Sequence, residues 1–454
     1  MSVRPLVPLA LVFMLASCGG PEATEDDAGG SGGAPSTGAG GKVDIGGMGG
    51  SNGSAGSGGT TGGAGTSGAG GATGSGGATS ADGGVTGAGG RGRGMGGAMG
   101  LGGAMGMGGA AGSAGTGGSG NTTCGVSPVT PNATRQTQNL LCYLYSIKGN
   151  HVLSGQQEAN WNANPTDIAW YTNNGLKFPA ILGSDFLYRG NASCTGVSAS
   201  TTRAIAYWNA GGITMFRYHM GLPGAGLTCA NDCFSGANCA EPSVHPNAAF
   251  FTNVITAGTP ENTSLNAKLD YVAVQINAMK AANVPVILAI YHETQPNGWF
   301  WWAENSTGPQ FANLWKYTFN YLTGTKGLTN IVWLMPFSGS PNAAYFPGKA
   351  YVDIGGPDEY SQPANLLTFT ASGNYNPAAN IFGAAMPIAL HETGSALQPN
   401  SIFPAGATPW IMWNVWATYE NTVISGFTFN TLASMQAAYG SQYTVTRDEI
   451  PSLK

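Results

Sequence analysis

Eight short apolar runs, spaced so that a helix fits between most neighbours, constrain this chain more than any other feature. They are 151–156 (HVLSGQ), 179–186 (PAILGSDF), 212–219 (GITMFRYH), 285–292 (PVILAIYH), 330–337 (NIVWLMPF), 351–356 (YVDIGG), 387–392 (PIALHE) and 409–416 (PWIMWNVW). Several are apolar without alternation, the pattern of parallel strands buried on both faces. Stretches such as 265–282 and 311–322 are amphipathic and long enough to serve as the crossovers that parallel pairing requires. Eight strand–helix units predict an α/β fold of the (β/α)8 barrel type, with a doubly wound open sheet as the alternative.

The rest of the chain has a different composition. Of 74 glycines among 454 residues, 46 fall within 19–120, about 45% of that stretch against a usual ~7%. Such a segment has almost nothing to bury and cannot offset its backbone entropy, so a disordered tether is expected. It contains a G-x-S-x-G match at 49–53 and a G-x-G-x-x-G match at 92–97. Neither follows a strand or opens a helix, as both chemistries require. Ahead of it, Arg4, the apolar 6–14 and Leu15-Ala16-Ser17-Cys18 resemble a bacterial lipoprotein signal. Lipidation of Cys18 is therefore expected, with an ordinary signal peptide as the alternative. Three segments result: 1–18 export signal, 19–123 linker, 124–454 folded barrel. Gly19 is not the Asp that retains lipoproteins at an inner membrane, so anchoring at the outer membrane or cell surface is expected, or else secretion.

A formal charge of −5 with only 9% charged residues argues against nucleic acid as a partner. Beyond Cys18, six cysteines remain: Cys124, Cys142, Cys194, Cys229, Cys233 and Cys239. An even number in an exported chain predicts disulfides, with the 229–239 group stapling one long loop. Zinc is the alternative, but the spacing lacks a C-x2-C pair and encloses no His.

In a barrel of this kind, chemistry gathers at the carboxyl ends of the strands. Here those ends carry Asp185, His219, His292-Glu293, Asp358-Glu359-Tyr360 and His391-Glu392, with Trp413 and Trp416 on the last strand. Glu293 and Glu392 would face each other across the mouth. Two carboxyls ~5–5.5 Å apart suit glycosidic cleavage with retention, one donating a proton and the other attacking carbon. His219, His292 and Tyr360 are candidates to orient them. The run Trp299-Phe300-Trp301-Trp302 offers more rings than one loop can sink into a core, and flat rings suit the apolar faces of sugars. Adjacent His-Glu residues on a strand point to opposite sides, and no H-E-x-x-H is present, so no metal or other cofactor is expected.

His292-Glu293 followed by Asn297-Gly298-Trp299-Phe300-Trp301-Trp302 resembles the fourth-strand signature of family 26 glycoside hydrolases, best known as endo-β-1,4-mannanases. The stretch 387–394 (PIALHETG) is similar to the family's seventh-strand segment. Ser154-Gly155-Gln156, Gly183-Ser184-Asp185 and Gly356-Pro357-Asp358-Glu359-Tyr360 fall in family order, and the likeness covers about 138–440. It implies a retaining endo-hydrolase of β-1,4-mannan with Glu293 as acid/base and Glu392 as nucleophile. It further implies that His292 and His219 orient groups near the cleaved bond, and Asp185 is a further candidate to bind or orient the substrate. Tyr360 would bond the nucleophile, and Trp299 and Trp413 would line a sugar platform. A polysaccharide partner and a monomeric state are expected. The chain also departs from the pattern. Ile290-Tyr291 precede His292 where the family has an Arg-Pro brace, Ala303 replaces a closing Gly, and Asn414 follows Trp413 where an Arg is common. Glu304 and Glu420 are spare carboxylates expected at the surface or in subsites. Cleavage of β-1,3-xylan or mixed-linkage β-glucan, or an inactive polysaccharide-binding role, are the alternatives.

Overall fold

A computed structural model describes residues 124–158, 166–187, 194–339, 341–403, 406, 408–420, 423–424 and 426–454. Cys18, the export signal and the Gly-rich stretch 19–123 lie outside the described residues.

All eight apolar runs contribute a barrel strand. These are β1 (Gly155–Gln157), β2 (Ile181–Asp185), β3 (Ile213–Arg217), β4 (Val286–Leu288), β5 (Ile331–Phe337), β6 (Ile354–Glu359), β7 (Leu390–Thr393) and β8 (Trp413–Val415). Each pairs in parallel with its neighbours in sequence, and Val415 opposite Gln156 closes β8 onto β1. Closure excludes the open sheet. The strands are buried on both faces, which is why their sequences are apolar without alternation.

The crossover helices form where their caps and apolar faces dictate. Thr259 caps α1 (Pro260–Ala281), with proline in its first turn where a missing N–H costs nothing. A reciprocal Thr307–Gln310 capping box opens α2 (Gly308–Asn320). Between β5 and β6 the crossover is instead two 3-10 turns, Ala343–Tyr345 and Lys349–Tyr351. Helix α3 (Ser372–Phe382) lies so close on β6 that a Cβ at Gly355 would sit 2.1 Å from the Phe382 ring.

Two runs behave differently from a simple strand. In the first, Val152–Leu153 pairs with Thr444–Val445 near the C-terminus, Leu153 also bridges Met412 just ahead of β8, and the regular barrel ladder begins at Gly155. In the fourth, regular pairing ends at Leu288. Tyr291 (φ 59°) and Glu293 (φ 54°) are left-handed, and the ladder resumes with Thr294 opposite Phe337. A left-handed non-glycine residue costs on the order of 1–3 kcal/mol and is found where surrounding structure over-determines it.

All six barrel-domain cysteines are bridged, as Cys124–Cys142, Cys194–Cys229 and Cys233–Cys239. The 229–239 group does not form one staple as expected. Cys229 pairs outward with the loop after β2, and only Cys233–Cys239 closes locally. Spacing along the chain does not reveal that the loops after β2 and β3 are neighbours.

Candidate active site

At the mouth of the barrel, β7 presents Glu392 and β4 leads through its kinked extension to Glu293. Both are buried. The Trp299 indole N–H donates to Glu293 Oε2 at 2.7 Å, and the Tyr360 hydroxyl donates to Glu392 Oε1 at 2.5 Å. Burial pushes the Glu293 carboxyl well above the usual range, and the charge of nearby Glu392 adds to the shift. The Trp299 hydrogen bond and Arg217 oppose it only in part. Burial thus favours the protonated form of Glu293. It faces a second carboxyl that accepts a hydrogen bond from a phenol and lies beside a guanidinium.

That guanidinium belongs to Arg217, the last residue of β3, which the sequence reading missed. Its Nη1 lies 3.6 Å from Glu392 Oε2, and its Nη2 donates to His391 Nε2 at 3.2 Å. Its plane sits over Trp416, 4.8 Å from the ring centroid. The site therefore holds a cation besides the expected His219, His292 and Tyr360, and the charge that the residues before His292 lack arrives from the neighbouring strand. A signal was available: Arg217 is the sole Lys or Arg within the eight apolar runs.

A second correction concerns the adjacent His-Glu pair on β7. Alternation predicts opposite sides, yet His391 and Glu392 both reach Arg217 because the register shifts between Leu390 and Thr393. Donor atoms of Asp358, His391 and Glu392 consequently lie within 4.8 Å of one another. The set does not suit a metal. A guanidinium can only donate, so His391 Nε2 accepts from Arg217 and Nδ1–H donates to Asp358 Oδ1 at 2.6 Å. Both ring nitrogens are committed, and a cation already occupies the open side.

On the opposite flank, Asp185 Oδ2 bonds His219 Nδ1 at 2.5 Å, while Oδ1 accepts the backbone N–H groups of Leu187 and His219. Burial works to raise the Asp185 carboxyl, but the His219 ring and these hydrogen bonds outweigh it and bring it below the usual value. His219 Nε2 in turn meets His292 Nε2 at 3.0 Å. Burial, and then the charges of His219, Arg217 and His391, hold the His292 imidazole well below its ordinary pKa, so it is neutral. Asp185 therefore fixes His219, which fixes His292, the residue before Glu293.

The aromatic run does not make the expected shelf. Phe300, Trp301 and Trp302 are at most 1% exposed, and only Trp299 is half-buried. The loop folds back under the rim, with the Trp301 N–H donating to Met220 O and the Trp302 N–H to His292 O, each at 2.8 Å. Trp302 thus holds the His292 backbone and Trp301 that of Met220, while Phe300 lies 4.8 Å from the His292 ring. Trp413 is also not a platform. It is fully buried and meets Tyr439 edge-on at 6.1 Å. Asn414 takes the inward position, filling the space beside Gly155 and Gly183, so the indole before it must face outward. Trp416 is the ring that reaches the site, 6.1 Å from His219. Of the spare carboxylates, Glu304 pairs with His245 at the surface. Glu420 is buried, contrary to expectation, and shares a cluster with Asp167 and Glu158.

Residues 129–449 match the family model described as Glycosyl hydrolase family 26. A mannan endo-1,4-β-mannosidase of Thermothelomyces thermophilus is 29% identical over 327 residues, covering 70% of this chain and 62% of that protein. The chain therefore spans less than two thirds of that relative's length. A mannan endo-1,4-β-mannosidase of Bacillus subtilis is 29% identical over 266 residues, covering 53% of this chain and 67% of the other. Among solved structures, a β-(1,4)-mannanase of Podospora anserina superposes with a TM-score of 0.58 at 28% identity, covering 72% of this chain and 69% of that one.

Proposed function

The chain belongs to glycosyl hydrolase family 26, and from that premise we propose that it is a retaining endo-β-1,4-mannanase acting by double displacement. The observation that carries the reading is the contrast between the two carboxyls. Burial raises the Glu293 carboxyl well above the usual range and Trp299 holds it, while Glu392 is held by Tyr360 and Arg217. Glu293 gives its proton to the departing glycosidic oxygen as Glu392 attacks the anomeric carbon. Glu293, now ionised, then takes a proton from the water that releases the glycosyl-enzyme. His292 and His219 orient the sugar beside the reacting bond, and Trp299 and Trp416 contact its ring. Mannan is the substrate because the relatives bear mannanase names. The anchor belongs to the same reading: lipidated Cys18 and the Gly-rich tether would hold the barrel at the outer membrane or cell surface.

The test is reducing-sugar release from galactomannan, lichenan and β-1,3-xylan by wild type, Glu293→Ala and Glu392→Ala. Galactomannan is the expected substrate, and Glu392→Ala should lower turnover by at least about 10⁴-fold. Turnover surviving in Glu392→Ala refutes the nucleophile, and preference for either other polymer refutes the mannan assignment.

A further inference from the structure

Three carboxyls meet beside the seam where β8 closes onto β1, and the reaction described above uses none of them. Glu158 follows β1, Asp167 lies in the first turn of the helix Thr166–Asn173, and Glu420 lies beyond β8. All three are buried. Glu158 accepts the Asp167 N–H at 3.1 Å and the Ile168 N–H at 3.2 Å, covering donors that open the helix. The side chains of Glu158 and Glu420 each hydrogen-bond that of Asp167. Two carboxyls bond one another only when one of them carries a proton, so this cluster shares protons across the seam. Burial first, and then Asp167, pushes Glu158 and Glu420 up to about 8.

Among the described residues, the other groups facing the cluster are Arg203, Tyr171 and Tyr439. Arg203, on the helix Ala199–Asn209, feels Glu158 and Asp167. Tyr171 faces Glu420 and Asp167 with Tyr439 behind it, and burial pushes both phenols up, away from ionisation.

What the cluster holds is a turn. Asp167 Oδ1 accepts the Thr418 N–H at 2.8 Å. Thr418 is left-handed (φ 68°), a backbone state that persists only where the surroundings impose it. The Tyr419 N–H closes the turn onto Trp416 O at 3.1 Å. Both ends of the turn reach residues that hold Glu392. The Arg217 guanidinium, which flanks Glu392, sits over Trp416 at 4.8 Å. The Tyr419 ring meets Tyr360 edge-on at 5.7 Å, and Tyr360 donates to Glu392.

We propose that Glu158, Asp167 and Glu420 are positioning residues, a proton-sharing clamp on the 416–419 turn that places the nucleophile through Trp416–Arg217 and Tyr419–Tyr360 and loosens when its protons leave. The proposal rests on the glycosidase reading above. With the protons present, Glu158 and Glu420 donate to Asp167. With them gone, both become like charges beside Asp167, opposed by one guanidinium, and the hold on Thr418 weakens.

The experiment compares wild type, the Glu158→Gln/Glu420→Gln double variant and Asp167→Ala on 2,4-dinitrophenyl β-mannobioside. That leaving group departs without a proton, so Glu293 does not shape the basic limb. Glutamine amides donate to Asp167 at every pH. Wild-type kcat/KM should fall roughly tenfold between about pH 7 and pH 9, as a midpoint near 8 requires. In the double variant the fall should be less than about twofold. Asp167→Ala should be slow at every pH and lack the step. Amide exchange of the segment 413–420, corrected for its intrinsic rate, gives a second readout. Its protection should fall over the same range in wild type and hold in the double variant. Thermal melts confirm folding, and Glu420→Gln alone, with a shallower fall than wild type, replaces a double variant that does not fold. A wild type without the step, or variants that lose rate with the step intact, would overturn the clamp. Protection of the segment that ignores pH in wild type overturns it as well. Should wild type cleave neither this substrate nor galactomannan, the mannanase reading falls by itself, and the exchange measurement still decides whether the cluster clamps the turn.

Discussion

Replacing Arg217 by Met should destabilise the folded barrel by roughly 3–5 kcal/mol. The groups around Glu392 are Glu293, Asp358, His391, Tyr360 and Arg217. Burial pushes the Glu293 and Asp358 carboxyls up, towards their uncharged form, and pushes the His391 imidazole down, towards its own. Arg217 is then the cation that compensates the Glu392 carboxylate. At the observed 3.6 Å and an effective dielectric of about 20, the attraction is about 4–5 kcal/mol. That is in line with the ~3–5 kcal/mol cost of breaking a buried pair. The assay is urea unfolding followed by tryptophan fluorescence, whose midpoint and slope give the stability of each variant. Arg217→Lys should recover part of the loss, because an ammonium is a point charge that cannot serve Glu392 and His391 together. An Arg217→Met variant that unfolds within about 0.5 kcal/mol of wild type would refute the argument.

Two further outcomes follow from other parts of the molecule. Burial, with help from Asp167, pushes Glu158 and Glu420 up to about 8 from a usual 4.5. Their folded-state pKa is above the unfolded one, so the stability they contribute is fully present below pH 4.5 and lost as pH rises through 8. The melting temperature should therefore fall by about 5 °C or more between pH 5 and 8, and Glu420→Gln should flatten that dependence. Cys18→Ala, or removal of residues 1–120, should shift the protein from the membrane to the soluble fraction while leaving its rate on soluble mannan unchanged. Membrane retention after either change would remove the anchor.

Much of the architecture was legible in residue order alone. Each of the eight apolar runs supplies one barrel strand, because continuous burial on both faces leaves a local compositional trace. Glu293 and Glu392 could likewise be placed at the mouth, since a strand's carboxyl end is a position along the chain. What the tertiary structure decided is which way side chains face and which groups meet. Trp413 and Trp416 look equivalent in sequence, yet Asn414 fills the barrel interior beside two glycines and turns Trp413 outward. Alternation on β7 fails at a register shift, and β4 ends early in left-handed residues, so both strands that lead to the paired glutamates break the periodicity used to read them. The pairing of Arg217 with Glu392 spans 175 positions and was set by closure of the sheet. Burial patterns are a property of single segments and survive in the sequence. Facing and partnership depend on what other segments cover, and that is settled only when the whole barrel closes.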